Sequence, residues 1–156
     1  MSLKRMRSHP RIYDYCYFLA NENLRGLKRS FKYLQPAKKL SVLDLGCGDR
    51  PFDDVIRHNR AGAVDITGVD FNSTEADFLG DIIEVCQSLP SDSYDFIVLS
   101  ETLEHLPEPD QCLQEIKRLG KPNSILFLSV PFMFPIHGKP HDFFRYTPFY
   151  FTDRAR

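Results

Sequence analysis

The stretch Val42-Leu43-Asp44-Leu45-Gly46-Cys47-Gly48 restricts what this chain can fold into more than any other. An apolar run rich in strand formers, Leu40 to Leu45, stops at two glycines, so a buried strand is expected to end in a tight turn leading to a helix. Glycines in such a turn let the backbone approach a ligand closely. A ligand is therefore expected over Gly46, Cys47 and Gly48, with the Asp44 carboxylate beside it.

The remaining pattern supplies the sheet around that strand. Ala63 to Val69 reads as a second strand closed by Asp70, Phe78 to Asp81 as a weaker third, Tyr94 to Ser100 as a fourth and Ile125 to Val130 as a fifth. Between the last two, Pro109 suits a first helical position, Leu113, Ile116 and Leu119 mark a buried face, and Gly120 suits the cap. Strands alternating with helices predict the α/β class, a Rossmann-like parallel sheet with helices on both faces. Upstream, Tyr13, Tyr17, Phe18, Leu24, Leu27, Phe31 and Leu34 recur at helical spacings, with a break between two helices expected at Asn21 or Asn23. The chain thus divides into a helical segment at 1–39, read as a cap over the site, and a ligand-binding domain at 40–156.

Composition excludes several alternatives. Hydrophobic residues at 42% and charged residues at 26% are those of an ordinary globular chain, and 156 residues suit one domain. The longest apolar stretch, Ile125 to Met133, falls far short of the ~20 residues of a membrane-spanning helix, and no leader is evident, so a cytoplasmic location is expected. Cys16, Cys47, Cys86 and Cys112 form no CxxC pair, which argues against both a zinc ribbon and a disulfide framework. Before residue 40, Lys4, Arg5, Arg7, Arg11, Arg25, Lys28, Arg29, Lys32, Lys38 and Lys39 face only Asp14 and Glu22. A solvated helix face is the commoner origin of such a bias, and a nucleic-acid partner is not expected.

The acids after the glycine turn point to the ligand. Asp70, closing the second strand, is placed to accept hydrogen bonds from both ribose hydroxyls of an adenosine. Asp81, closing the third, is placed to accept from an adenine amino group while the Ile82 amide donates to a ring nitrogen; Asp77 or Glu84 takes that role if the register slips. Asp44 suits an amino group and the sulfonium cation of S-adenosylmethionine (SAM). An NAD-linked dehydrogenase is disfavoured because Pro51 stands at the third-glycine position.

With these residues in view, the chain resembles the class I SAM-dependent methyltransferases of the type 11 group. The resemblance runs from about Leu40 to Pro148 and is carried by VLDLGCGDRPF, GVD, LPSDSYDFIVLSETLEHLPEP and SVPFMFPIHGKPHDFFRYTP. It implies that Asp44, Gly46, Cys47 and Gly48 cradle the methionine part of SAM, that Asp70 binds the ribose, that Asp81 reads adenine, and that the segment from Ser100 to His105 lines the methyl-transfer site, with Phe71, Ile82 and Ser100 also expected to contact the cofactor. Arg50 replaces the third glycine of the first block. The resemblance also implies strands ordered 3-2-1-4-5-7-6, of which six and seven have no residues here. The fifth strand is then an edge, to be covered by a second copy in a homodimer, by Pro131 to Arg156 folding back, or by the rest of a longer protein.

The expected reaction is methyl transfer from SAM, leaving S-adenosylhomocysteine, to a small-molecule acceptor or one linked to glycan or lipid. The rival expectation is a non-catalytic SAM-binding partner subunit. A hydroxyl acceptor needs a base, for which His105, His137 and His141 are the candidates. Phe143, Phe144 and Tyr146 are read as pocket walls, with Arg145 pairing an acidic acceptor or an internal carboxylate. No metal is expected: His137, His141 and Asp142 are loosely spaced and lack cysteine partners.

Overall fold

The computed structural model describes residues 3–154. Five parallel strands, β1 (Lys39–Leu45), β2 (Ala63–Asp70), β3 (Phe78–Leu79), β4 (Tyr94–Ser100) and β5 (Gly120–Ser129), form one sheet in the order β3-β2-β1-β4-β5. This is the 3-2-1-4-5 order that the sequence predicts. The helices are α1 (Leu3–Ser8), α2 (Tyr17–Ser30), α3 (Asp53–His58), α4 (Ile82–Ser88), α5 (Pro109–Leu119) and α6 (Pro148–Arg154).

Strand alternation sorts the core into two layers. Val42 of β1 and Phe96 and Val98 of β4 face one way, onto Leu24 and Leu27 of α2 and Val55 and Ile56 of α3. Leu43 and Leu45 of β1 and Ile97 and Leu99 of β4 face the other way, onto Ile82 and Cys86 of α4 and Cys112, Ile116 and Leu119 of α5. A sheet buried on both faces explains why its central strands read as continuous apolar runs. The ligand-directed residues then fall at or just beyond the carboxyl ends of the strands, where open α/β sheets bind ligands.

Two local expectations are corrected. Neither Asn21 nor Asn23 breaks the N-terminal helix; α2 continues through both. Ala20, Leu24 and Leu27 keep an unbroken buried stripe there, and the Asn23 amide is spent on a tertiary bond to Glu101, 3.3 Å away. Strand β5 begins at Gly120, not Ile125, because a bulge lets Tyr94 pair with Gly120 while Phe96 pairs with Ile125. Gly120 has φ −70°, so it needs no left-handed freedom. Its missing Cβ instead makes room for Ser124, whose Oγ would lie 2.3 Å from such an atom.

β5 is the outer strand of the sheet among the described residues. The chain does return after it, but onto α5 and the turn after β4: Tyr146 is buried, and the Tyr150 hydroxyl donates to Asp110 at 2.6 Å. No helix among the described residues is long and apolar enough to cross a membrane.

Candidate functional site

The turn after β1 is tied to the end of β2. The amides of Gly46 and Cys47 both donate to the Val69 carbonyl, at 2.8 and 3.1 Å, and the Gly48 amide donates to Asp70 Oδ2 at 2.8 Å. The other Asp70 oxygen accepts from Asn72 and Ser73, each at 3.0 Å. Asp70 is thus held at the lip of the glycine turn, with Phe71 exposed beside it.

Gly46 and Gly48 both have positive φ, +73° and +53°, where other residues are strained. They differ in their surroundings. A Cβ at Gly46 would strike Thr102 Oγ1 at 2.2 Å, so this glycine is required by β4's continuation and not directly by a ligand. A Cβ at Gly48 would meet only Arg7, at 3.7 Å, and so would project into the open cradle. Arg50 also adopts positive φ, 55°, giving the backbone conformation of the glycine it replaces. Its largely buried side chain pairs with Asp53 and Asp77, each 2.9 Å away, and donates to the Ile66 carbonyl of β2.

Asp44 is 2% exposed and its Oδ2 has no partner. Burial, reinforced by Asp53, pushes its carboxyl up to about 7. An orphaned buried carboxylate beside a glycine cradle fits a ligand bearing an ammonium group. Cys47 is buried, and burial pushes its thiol up to about 12, so the thiol is unreactive; it donates within the turn to the Gly48 carbonyl at 3.8 Å.

Asp81 caps α4, accepting from Ile83 at 2.8 Å and Glu84 at 3.1 Å. Both bonds fall on Oδ1, and the Ile82 amide is outside this cap. Asp77, the alternative, accepts from the Gly68 amide at 2.7 Å and pairs with Arg50, which commits it to structure. Glu84 is exposed on α4.

A cavity of about 190 Å³ adjoins Phe52 and the end of β4. The end of β4 and the turn after it supply Ser100, Glu101 and His105; the N-terminal segment supplies Arg7, Tyr15, Leu19 and Asn23; the long loop supplies Phe134 and His137. Arg5 holds α1 in place through two bonds to the buried Asp14, 2.5 and 2.6 Å, which brings Arg7 to the cavity. Ser100 Oγ bonds Ser129 Oγ at 2.8 Å. Glu101 has φ 52°, a strained conformation for a residue with a side chain, at the point where β4 turns into the cavity wall.

The loop of 131–147 is fastened over the turn Leu103–His105. The Phe143 amide donates to the Glu104 carbonyl at 2.9 Å, the Tyr146 hydroxyl to the Leu103 carbonyl at 3.1 Å, and His105 Nδ1 to the His141 carbonyl. Arg145 pairs with the internal carboxylate Asp142 at 2.6 Å and holds its carboxyl well below the usual range. His105 and His137 are brought together, rings edge to face at 4.7 Å. The His141 ring is exposed and contributes its carbonyl instead. Phe143 and Phe144 lie in a separate surface groove, and Tyr146 belongs to the core.

Glu104 is a member of this site that the sequence reading did not single out. It is fully buried, neither carboxylate oxygen has a hydrogen-bond partner, and burial pushes its carboxyl up to about 8. Adjacency to His105 was the visible sign, but its burial is a tertiary fact.

A parallel 3-2-1-4-5 sheet, an acid and glycine turn after β1 and an acid closing β2 define the class of Rossmann-like nucleotide-binding domains. A family model described as a methyltransferase domain matches residues 15–146. A ubiquinone biosynthesis O-methyltransferase of Actinobacillus pleuropneumoniae is 30% identical over a stretch covering 56% of this chain and 44% of that protein. Its namesake from Pectobacterium atrosepticum is 29% identical, covering 56% and 41%. The chain therefore spans under half the length of these curated relatives. A SAM-dependent methyltransferase from Archaeoglobus fulgidus has a similar structure, with TM-score 0.65 at 25% identity over 91% of this chain and 72% of that one. The PH0226 protein from Pyrococcus horikoshii shares the fold, with TM-score 0.56 at 21% identity over 78% and 60%. This chain belongs to the methyltransferase domain family, within the class I SAM-dependent methyltransferases, and its cofactor is SAM.

Proposed function

We propose that this chain methylates a hydroxyl oxygen of a small acceptor held in the cavity between Ser100, Glu101, His105 and His137. The observation that carries this reading is that cavity's position, at the end of β4 next to the Asp44 and Gly48 cradle and under the N-terminal segment. The names of the relatives, O-methyltransferases, support oxygen as the accepting atom.

SAM supplies a methyl group already activated by its sulfonium, so the protein's work is binding, alignment and exclusion of water. Asp44 pairs the amino group, the Gly46 to Gly48 backbone receives the methionine part, Asp70 takes the ribose, and Asp81 with the Ile82 amide takes adenine. The acceptor oxygen forms a bond to the methyl carbon as the carbon–sulfur bond breaks; S-adenosylhomocysteine leaves and the hydroxyl proton passes to solvent. Residues 1–39 act as the cap, since Arg7, Tyr15, Leu19 and Asn23 close one side of the acceptor cavity.

Incubation with methyl-tritiated SAM and matched small phenols, amines and thiols tests the reading. Label in alkali-stable methyl ethers supports it. Label confined to amines or thiols contradicts oxygen transfer, and SAM binding without label transfer to any of them favours the non-catalytic subunit.

A further inference from the structure

We propose that Glu104, His105 and His137 form a binding site for one divalent transition-metal ion, of the kind zinc represents, at the inner wall of the acceptor cavity. The site is built from two parts of the chain, the turn Leu103–His105 and the loop of 131–147. Glu104 Oε1 lies 3.6 Å from His105 Nε2 and 3.6 Å from His137 Nε2. All three donor atoms lie within 4.8 Å of one another. These separations are too long for direct hydrogen bonds. They are close to the edge of about 3.4 Å expected between donors that share a tetrahedral ion at about 2.1 Å.

The orientation of the two imidazole rings supports a cation. His105 Nδ1 is directed at the His141 carbonyl, and His137 Nδ1 at the Pro135 carbonyl, 3.2 Å away. A carbonyl only accepts, so each Nδ1 donates and each Nε2 is the ring nitrogen turned toward Glu104. Metal-binding imidazoles are held in this way, with the second nitrogen donating to a carbonyl or carboxylate. Asp142 Oδ2, 3.3 Å from His137 Nδ1 and 2.9 Å from the His137 amide, fixes that ring further. Two Nε2 atoms and a carboxylate thus converge on one point.

The independent observation is Glu104 itself. It is fully buried, both its oxygens lack partners, and it faces this point. A buried carboxylate left unpaired is costly, and a bound cation removes the cost. Two imidazoles and one carboxylate favour a borderline transition ion over magnesium, which prefers oxygen ligands. Three protein ligands leave coordination positions open, and both histidines border the acceptor cavity. An acceptor oxygen entering there reaches the ion directly. This last step rests on the methyl-transfer reading, whereas the site itself does not.

The test is zinc uptake by the chelator-treated chain, measured by competition with a chromophoric chelator, with SAM titration calorimetry run on the same samples. The wild type is expected to take up one tightly bound zinc, and cobalt in its place should give visible d–d absorption. Glu104→Gln and His137→Ala should each weaken zinc at least about 100-fold while SAM affinity stays as in the wild type. His141→Ala should take up zinc normally, because only its backbone carbonyl is used. No uptake of zinc or cobalt by the folded wild type would overturn the proposal, as would undiminished uptake by Glu104→Gln. Equal losses in His141→Ala and His137→Ala would overturn this ligand set. Failure to bind SAM with zinc uptake intact would count against the function proposed above, not against the metal site.

Discussion

The Asp70 carboxylate accepts the Gly48 amide at 2.8 Å, fastening the end of β2 to the glycine turn after β1. One side chain thereby shapes the cradle and offers the ribose contact. Asp70→Ala should weaken SAM binding by about 1.5–3 kcal/mol for each charge-assisted bond lost. Asp70→Asn, which keeps an accepting oxygen, should lose less. Calorimetric titration of both variants checks this, and equal affinity across wild type and both variants would remove Asp70 from the site.

Asp44 gives a pH dependence. Its carboxyl is pushed from 3.8 up to about 7 by burial, then by Asp53. Between those values the folded protein keeps a proton that the unfolded chain has released, so stability falls as pH rises through this window. Above about 7 the penalty is complete. At roughly 1.4 kcal/mol per pKa unit it is a matter of several kcal/mol. Asp44→Asn should make the fall of the denaturation midpoint between pH 4 and 7 shallower, the remainder coming from Glu104, whose carboxyl burial pushes up to about 8. A wild-type midpoint that rises over that range would contradict the assignment.

Gly46 and Gly48 should respond differently to alanine. At Gly46 the new Cβ meets Thr102 and the left-handed φ costs a further ~1–2 kcal/mol, so urea denaturation should show a marked loss of stability. Thr102→Gly in the same chain should recover part of it. At Gly48 there is room, and the loss should fall more on SAM affinity than on folding. The same denaturation midpoint for both variants would refute this distinction.

Gly138 has φ +60°, and a Cβ there would lie 2.9 Å from His105 Cε1. Gly138→Ala should push the loop off the Leu103–His105 turn. Label transfer from SAM should drop while SAM affinity stays near that of the wild type, because the cofactor residues lie on other elements. Parallel loss of both would show that the loop supports the cofactor.

The sheet order was legible in the sequence, and the residues proposed for SAM sit at strand ends that hydrophobic runs mark directly. Tyr94 to Ser100 is a strand as read, and Asp70 closes β2 as read. Where the reading failed, tertiary contacts decided. Asn23 stays helical because its side chain bonds Glu101 just after β4, and β5 starts early through a bulge opposite Tyr94. Glu104 escaped notice because nothing local separates an acid in a buried 3-10 turn from one on a surface. The three histidines were visible, but not that His141 would lend its carbonyl while His105 and His137 turn toward Glu104.

The most direct test of the central claim is calorimetric titration of the wild-type chain with SAM, S-adenosylhomocysteine and NAD under one set of conditions. The arrangement of Asp44, Gly48, Asp70 and Asp81 predicts saturable binding of SAM and S-adenosylhomocysteine at one site per chain, with no heat from NAD. Binding of NAD with no binding of SAM would contradict it.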